Sequence, residues 1–354
     1  MSTLGRPKDS HFRAAGSGAA RRVDPMTPSR RAWLAAAGAL ALGGMTSGVV
    51  RASSRYPARP ITMWIPWPAG GATDISLRLL AELAQQTLGQ TIVTDNRSGA
   101  GGTLVMPLLQ RAEPDGYTIA QMPQPVFRAP FVHKVTWDPI RDVTPIVQVS
   151  GVTFGVVVPA GSAFRNLEDL FAHARAHPGE LSIATNGFGT TPHLVLEDLF
   201  TARGLSYIHV PYKGTAEQIN AIAAGQVMAG VNSTGFGPAV DGGRLRLLVT
   251  FGAQRSKRWS QAPTLRELGF DIVAMSPYGL AGPRGLPAPI VATLHDAFKR
   301  AIFDPRFAHE LAKYDQEIDY LGPEDYAKSC REIYARERID VERLRAPRGA
   351  SRGG

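Results

Sequence analysis

Apolar positions along this chain fall into short runs of strand length, separated by longer stretches with helical spacing. The run at 61–65 predicts a short buried strand. A Pro/Gly segment from Pro66 to Gly71 interrupts it. Ile75, Leu79 and Leu83 then recur at four-residue spacing, with Leu80, Ala84 and Leu88 beside them, which predicts an amphipathic helix buried along that stripe. Residues 91–94 predict a second strand and 104–111 a helix with Pro107 in its first turn, where a missing N–H costs little. The turn Pro114-Asp-Gly-Tyr117 opens a third strand at 118–122. Further strands are expected at 143–149 and 154–158.

The pattern then repeats. A helix at 167–177 leads to a strand at 181–185, a Gly-rich loop at 186–192 and a helix at 193–203. A strand at 207–210, a helix at 216–224 and strands at 227–231 and 245–250 follow. After a Pro/Gly connector at 283–289, residues 290–345 read as mainly helical with a strand-like break at 318–321. The last helix opens at Gly322-Pro-Glu-Asp325, with Pro in the first turn and acids at the positive end of its dipole. Alternating strands and helices predict an α/β fold in two halves, each with a glycine loop running into a helix.

The length of 354 residues suits two domains, and 44% hydrophobic with 19% charged residues is a globular composition. The net charge of +9 suggests a nucleic-acid or membrane partner until its location is considered. Arg30-Arg31, the apolar run 35–50 and the small residues around Ala52 have the layout of an export signal, and Ser29-Arg30-Arg31-Ala32-Trp33-Leu34 resembles a twin-arginine motif. Removal through Ala52 takes eight of the 39 Lys/Arg and two of the 30 Asp/Glu, leaving 31 and 28, or +3. That removes the main support for nucleic-acid binding. Residues 1–25 lack periodicity and read as a disordered leader; either Met1 or Met26 is the start. The lone Cys330 permits no internal disulfide and reads as a packed residue.

Motifs for hydrolase elbows, zinc proteases and phosphate loops are missing. Ser98-Gly-Ala-Gly-Gly-Thr103 has Leu104 where a dinucleotide loop needs its third glycine, and Gly187-Phe-Gly189 has Pro192 there. His173 and His177 are four apart but have no third ligand. No cofactor and no metal is expected. What remains is two helix starts, each behind a glycine loop without Lys or Arg (66–73 and 186–194). Gly70 and Gly71 let a ligand approach the main chain, and free N–H groups with a helix dipole suit an anion held by neutral donors; the alternative is a plain βα turn. Asp74 either caps its helix or meets the ligand. His193 is either a polar reader or a loop anchor, and Tyr212 and Lys213 either line the cleft or form a turn.

Taken in order, several motifs resemble the Bug family, the tripartite tricarboxylate transporter receptors. They are Tyr56-Pro-Ala-Arg-Pro60, Pro66-Trp-Pro-Ala-Gly-Gly-Ala-Thr-Asp74 with Arg78, Asn96-Arg-Ser-Gly-Ala-Gly-Gly102 and Pro114-Asp-Gly-Tyr-Thr118. Gly187-Phe-Gly-Thr-Thr-Pro-His193, Val210-Pro-Tyr-Lys-Gly214, Gly225-Gln-Val227, Arg255, Pro263-Thr-Leu-Arg-Glu-Leu-Gly269 and Gly279-Leu-Ala-Gly-Pro283 continue the series. The resemblance spans about 56–340. It implies a two-domain Venus-flytrap fold with crossing segments near Val156 and Met275: one domain from 53–155 and 277–345, the other from 156–276, with 346–354 a disordered tail. It also implies a periplasmic, monomeric receptor without enzymatic activity, which closes on a small carboxylated solute and delivers it to membrane transporter subunits. The implied ligand residues are Trp67, Pro68, Ala69, Gly70, Gly71 and Asp74 in the first loop, and Gly187, Gly189, Thr190, Thr191 and His193 in the second. Water-bridged contacts from the first loop are a family trait. Trp67 replaces the usual Phe, Met228 replaces a common Asp, and Val105-Met-Pro-Leu-Leu109 departs from the usual small-residue helix. An orphan receptor serving a sensor protein, or an exported α/β enzyme acting on a carboxylate, are the alternatives.

Overall fold

Residues 56–201 and 203–345 are described by a computed structural model. The expected leader, export signal and tail lie outside the described residues. β1 (Ile61–Ile65) runs into α1 (Ala72–Leu88), β2 (Ile92–Asn96) into a short α2 (Val105–Leu109), and β3 (Thr118–Met122) into α3 (Pro125–Val132). β4 (Val143–Pro159), α4 (Leu167–Ala176), β5 (Ser182–Thr185), α5 (Thr191–Thr201), β6 (Ile208–Pro211) and α6 (Thr215–Ala223) follow. Then come β7 (Ala229–Ser233), α7 (Gly237–Asp241), β8 (Leu245–Thr250), β9 (Met275–Pro283), α8 (Ala288–Ile302), α9 (Pro305–Ala312), β10 (Ile318–Leu321) and α10 (Pro323–Arg345).

The strands lie in the order β2-β1-β3-β9-β4-β7-β5-β6, with β8 and β10 attached to β4. β1 is parallel to β2 and β3, and β5 is parallel to β6 and β7, as the alternating pattern predicts. β4 is the element shared by both groups. Its residues Val143 to Thr153 pair antiparallel with β9, and Phe154 to Pro159 pair with β7 and β8. The expectation of two strands here is corrected to one strand of 17 residues. Gly151 does not break it, because β9 stays paired through Val152 and Thr153.

Two main cores flank this arrangement. One packs Ile61, Met63, Leu77, Leu80, Val147, Phe298 and Phe307, and the other packs Phe154, Val156, Phe171, Leu196, Phe200 and Phe251. The stripe expected on α1 is rotated. Leu77, Leu80, Leu83, Ala84 and Leu88 are buried, but Ile75 is 38% exposed, because Asp74 and not Ile75 turns inward in the first turn. α3 and β9 were not expected. Pro125 and Pro130 mask the first, and Pro277, Gly279 and Gly282 the second, yet neighbouring strands and α10 hold both in place. Cys330 of α10 is buried beside Tyr326, and burial pushes its thiol up to about 12, as suits a packed residue.

Candidate functional site

A cleft of about 50 Å³ lies where the chain leaves several strands at their carboxyl ends, the usual location for ligands in open α/β sheets. The first loop and the start of α1 contribute Trp67, Pro68, Gly71, Ala72, Thr73 and Asp74. Thr191 opens α5, Thr215 opens α6, and Ser233 ends β7. Gln121, Val152, Phe154, Ser276 and Tyr278 come from β3, β4 and β9. None of the lining residues is Lys, Arg or His.

Asp74 explains the shape of the first loop. Its carboxylate accepts from the Gly70 N–H at 2.9 Å, from Arg78 Nε at 3.0 Å and from Asn96 Nδ2 at 2.7 Å. Asn96 Nδ2 also donates to the Trp67 carbonyl at 2.8 Å, tying the loop to β2. This is a carboxylate in the third helical position reaching back over its own helix start. Burial alone would raise its pKa; the hydrogen bonds from Arg78, Asn96 and Gly70 outweigh burial and hold it low. Arg78 is committed as well, donating to Thr94 Oγ1 and Asn96 Oδ1 at 2.6 Å each. Gly70 adopts φ +86°, a conformation that favours glycine. Gly71 does not. Its φ is −80°, and a Cβ there would meet nothing nearer than Thr215 Cβ at 3.9 Å. The first N–H groups of α1 have no partner within the helix, and no side chain caps them.

The second loop is held from behind. Gly187 and Gly189 adopt φ +122° and +70°. Thr190 spends its hydroxyl on the Gly187 carbonyl at 2.7 Å. His193 Nδ1 accepts from the Gly189 N–H at 3.3 Å, and its ring lies 4.3 Å from that of His209. Burial lowers the pKa of His193. It also lowers that of His209, together with the nearby His193, to about 4. A neutral His193 is required here, because a protonated Nδ1 cannot accept.

Arg128 of α3 completes the support. Its Nη1 donates to the Gly189 carbonyl at 2.9 Å and its Nη2 to Thr191 Oγ1 at 3.3 Å. The same guanidinium grips Glu337 of α10 through Nε–Oε2 at 2.6 Å and Nη2–Oε1 at 2.9 Å. With its oxygen accepting from Arg128, Thr191 keeps its own proton free to donate elsewhere.

Of the residues the sequence singled out, Trp67, Pro68, Gly71, Asp74 and Thr191 line the cleft. Ala69 and Gly70 are exposed and do not line it. Gly187, Gly189, Thr190 and His193 also stand outside the lining and shape the second loop. Tyr212 and Lys213 lie in the bend after β6, outside the cleft. Sequence reasoning missed Gln121, Thr215, Ser233, Ser276, Tyr278 and the supporting Arg128. Thr215 had a readable signal, since Gly214 precedes it in a third strand–glycine–helix passage.

Residues 76–345 match the tripartite tricarboxylate transporter family receptor, TctC. The chain belongs to this receptor family. It is 42% identical over 314 residues to the UPF0065 protein in the gbd 5′ region of Cupriavidus necator, covering 89% of this chain and 96% of that one. The solved periplasmic binding protein BugD is 28% identical, with a TM-score of 0.78 over 82% of this chain and 98% of its own. MatC from Rhodopseudomonas palustris, solved with bound malate, is 27% identical, with a TM-score of 0.75 over 81% of this chain and all of that one (100%). The receptor thus has the α/β architecture that its alternating pattern predicts and the periplasmic-binding-protein fold that the resemblance implies. Among the described residues no helix is long and apolar enough to cross a membrane.

The walls of the receptor cleft meet across glycines. A Cβ on Gly214 would stand 2.8 Å from Pro68, one on Gly235 2.8 Å from Thr215, and one on Gly101 3.3 Å from Thr190. These positions set the first loop against the start of α6, the start of α6 against the turn after β7, and the loop after β2 against the second loop.

Proposed function

We propose that this protein is a periplasmic receptor that captures a small carboxylated solute and delivers it to membrane transporter subunits of the tripartite tricarboxylate type. The observation that carries this reading is the convergence of Gly71 and Thr191, each at a helix start behind a glycine loop, on one cleft whose lining has no cation. A carboxylate there rests on backbone N–H groups of α1 and on the Thr191 and Thr215 hydroxyls. Charge-assisted hydrogen bonds of this kind contribute about 1.5–3 kcal/mol each.

The lobes that close on the solute are 53–155 with 277–345, and 156–276, exchanging chain near Val156 in β4 and Met275 in β9. The binding of malate by MatC supports a carboxylate as the solute class. Binding without turnover fits a lining whose hydroxyl groups have no His or Lys beside them to activate them, and whose one carboxylate, Asp74, is engaged by Gly70, Arg78 and Asn96. Export precedes all of this, through the Arg30-Arg31 signal with removal up to about Ala52, and the receptor acts as a monomer.

Native mass spectrometry of the exported protein, followed by calorimetry with short carboxylates, tests the reading. The expected result is one small carboxylate per chain, lost in Gly71→Val. Turnover of that compound, or a retained ligand without a carboxyl group, overturns it.

A further inference from the structure

No cation lines the cleft. The helix starts of α1, α5 and α6, with the Thr191 and Thr215 hydroxyls, supply its anion donors, and all of them are neutral. The two arginines that hold these loops are already committed: Arg78 to Asp74, Thr94 and Asn96, and Arg128 to Glu337, Gly189 and Thr191. Neither lines the cleft. The strands beneath contribute no helix dipole, and a second carboxylate desolvated over them would have no compensating charge.

Those strands instead present neutral polar groups. Gln121 of β3 and Tyr278 of β9 both line the cleft, and each is 2% exposed. Gln121 Oε1 has no hydrogen-bond partner among the described residues. The Tyr278 hydroxyl also lacks a well-formed bond; its neighbour Ser150 donates to the Glu317 carbonyl at 2.7 Å. Ser276, two residues along β9 and on the same face as Tyr278, adds a third neutral group. An unpaired acceptor in a buried wall calls for a donor that a hydroxyl or amide supplies and a carboxylate cannot. At about 50 Å³ the cleft suits a small occupant.

We propose that the ligand is a short monocarboxylate whose far end carries a neutral hydrogen-bond donor, a hydroxyl or an amide, read by Gln121 and Tyr278. This rests on the carboxylate-receptor reading above and narrows it. It also sets this chain apart from MatC, whose bound malate has two carboxylates.

Butyrate, 4-hydroxybutyrate, 4-aminobutyrate and succinate share one chain length and differ at the far end, so they make the test. Calorimetry on the full mature chain is expected to show 4-hydroxybutyrate binding at least tenfold more tightly than the other three. In Gln121→Leu that preference over butyrate should fall to about twofold or less, with butyrate binding retained. Tyr278→Phe, which keeps the ring, should reduce the same preference and serves if Gln121→Leu folds poorly. Succinate or 4-aminobutyrate binding as tightly as 4-hydroxybutyrate overturns the proposal and leaves the receptor reading standing. No binding of any of the four, nor of longer carboxylates, overturns the receptor reading itself.

Discussion

Arg128 and Glu337 form a two-pronged ion pair, at 2.6 and 2.9 Å, with exposures of only 5% and 2%. The pair joins α3 to α10, and through Arg128 it holds the carbonyl of Gly189 in the second loop. Removing one partner leaves the other charge buried without compensation. Glu337→Ala is therefore expected to destabilise the fold by about 3–5 kcal/mol, read by chemical denaturation. Arg128→Met should cost less if the vacated carboxylate takes up a proton, and it should loosen the second loop, read as weaker ligand binding in folded protein.

Gly214 and Gly71 separate contact from conformation. Gly214 has φ −165°, extended backbone that any residue adopts, yet a Cβ would stand 2.8 Å from Pro68. Gly214→Ala should push the first loop away and lower affinity about tenfold, near 1.4 kcal/mol, with little change in melting temperature. Gly71→Ala should be well tolerated. Gly71→Val, with its larger side chain facing Thr215, should cost about 2 kcal/mol of binding by blocking the approach to the α1 N–H groups. Backbone strain plays no part there, since φ is −80°. Calorimetry on the three variants distinguishes these effects.

Thr191→Val keeps the shape of the side chain and removes both roles of its hydroxyl. Affinity should fall by about 1 kcal/mol. Binding by either protein should change little between low and high salt, because the Arg128 cation is buried and no cation lines the cleft. A steep loss with salt would place the anion elsewhere.

The stacked histidines set a direction for pH dependence. His209 titrates near 4 in the fold, lowered by burial and by His193; His193 is also lowered, by burial first, with Arg128 adding to the effect and Glu197 opposing it. In the unfolded chain both take up a proton near the ordinary value of about 6.5. Between about pH 6.5 and 4 the unfolded chain thus binds protons that the folded chain refuses, and stability falls as pH drops through that window. Thermal melts at successive pH values should show this loss, and His209→Gln should flatten it.

Much of the fold was legible because its strands are short apolar runs bounded by Pro and Gly. Ile61–Ile65, Thr118–Met122, Leu245–Thr250 and Ile318–Leu321 have the bounds their sequences predict. The glycine loops were legible for the same reason. Arg128 was not. It sits between two prolines in a helix the pattern hides, and its partners lie 61 and 209 residues away. Gln121 was equally silent, since a polar residue in a strand reads as solvent-facing until tertiary packing places it inside. Side chains that act through distant partners leave no local periodicity to read.

β4 supplies Val147 and Val149 to one hydrophobic core and Phe154, Val156 and Val158 to the other. Neither core can be completed while this strand is unmade, and neither can be lost without exposing part of it. The protein has two interiors on a single spine, so heating should give one calorimetric transition, with equal calorimetric and van't Hoff enthalpies. Fragments cut near Gly151 should remain unfolded when expressed apart. Damage to either interior should therefore lower the stability of both.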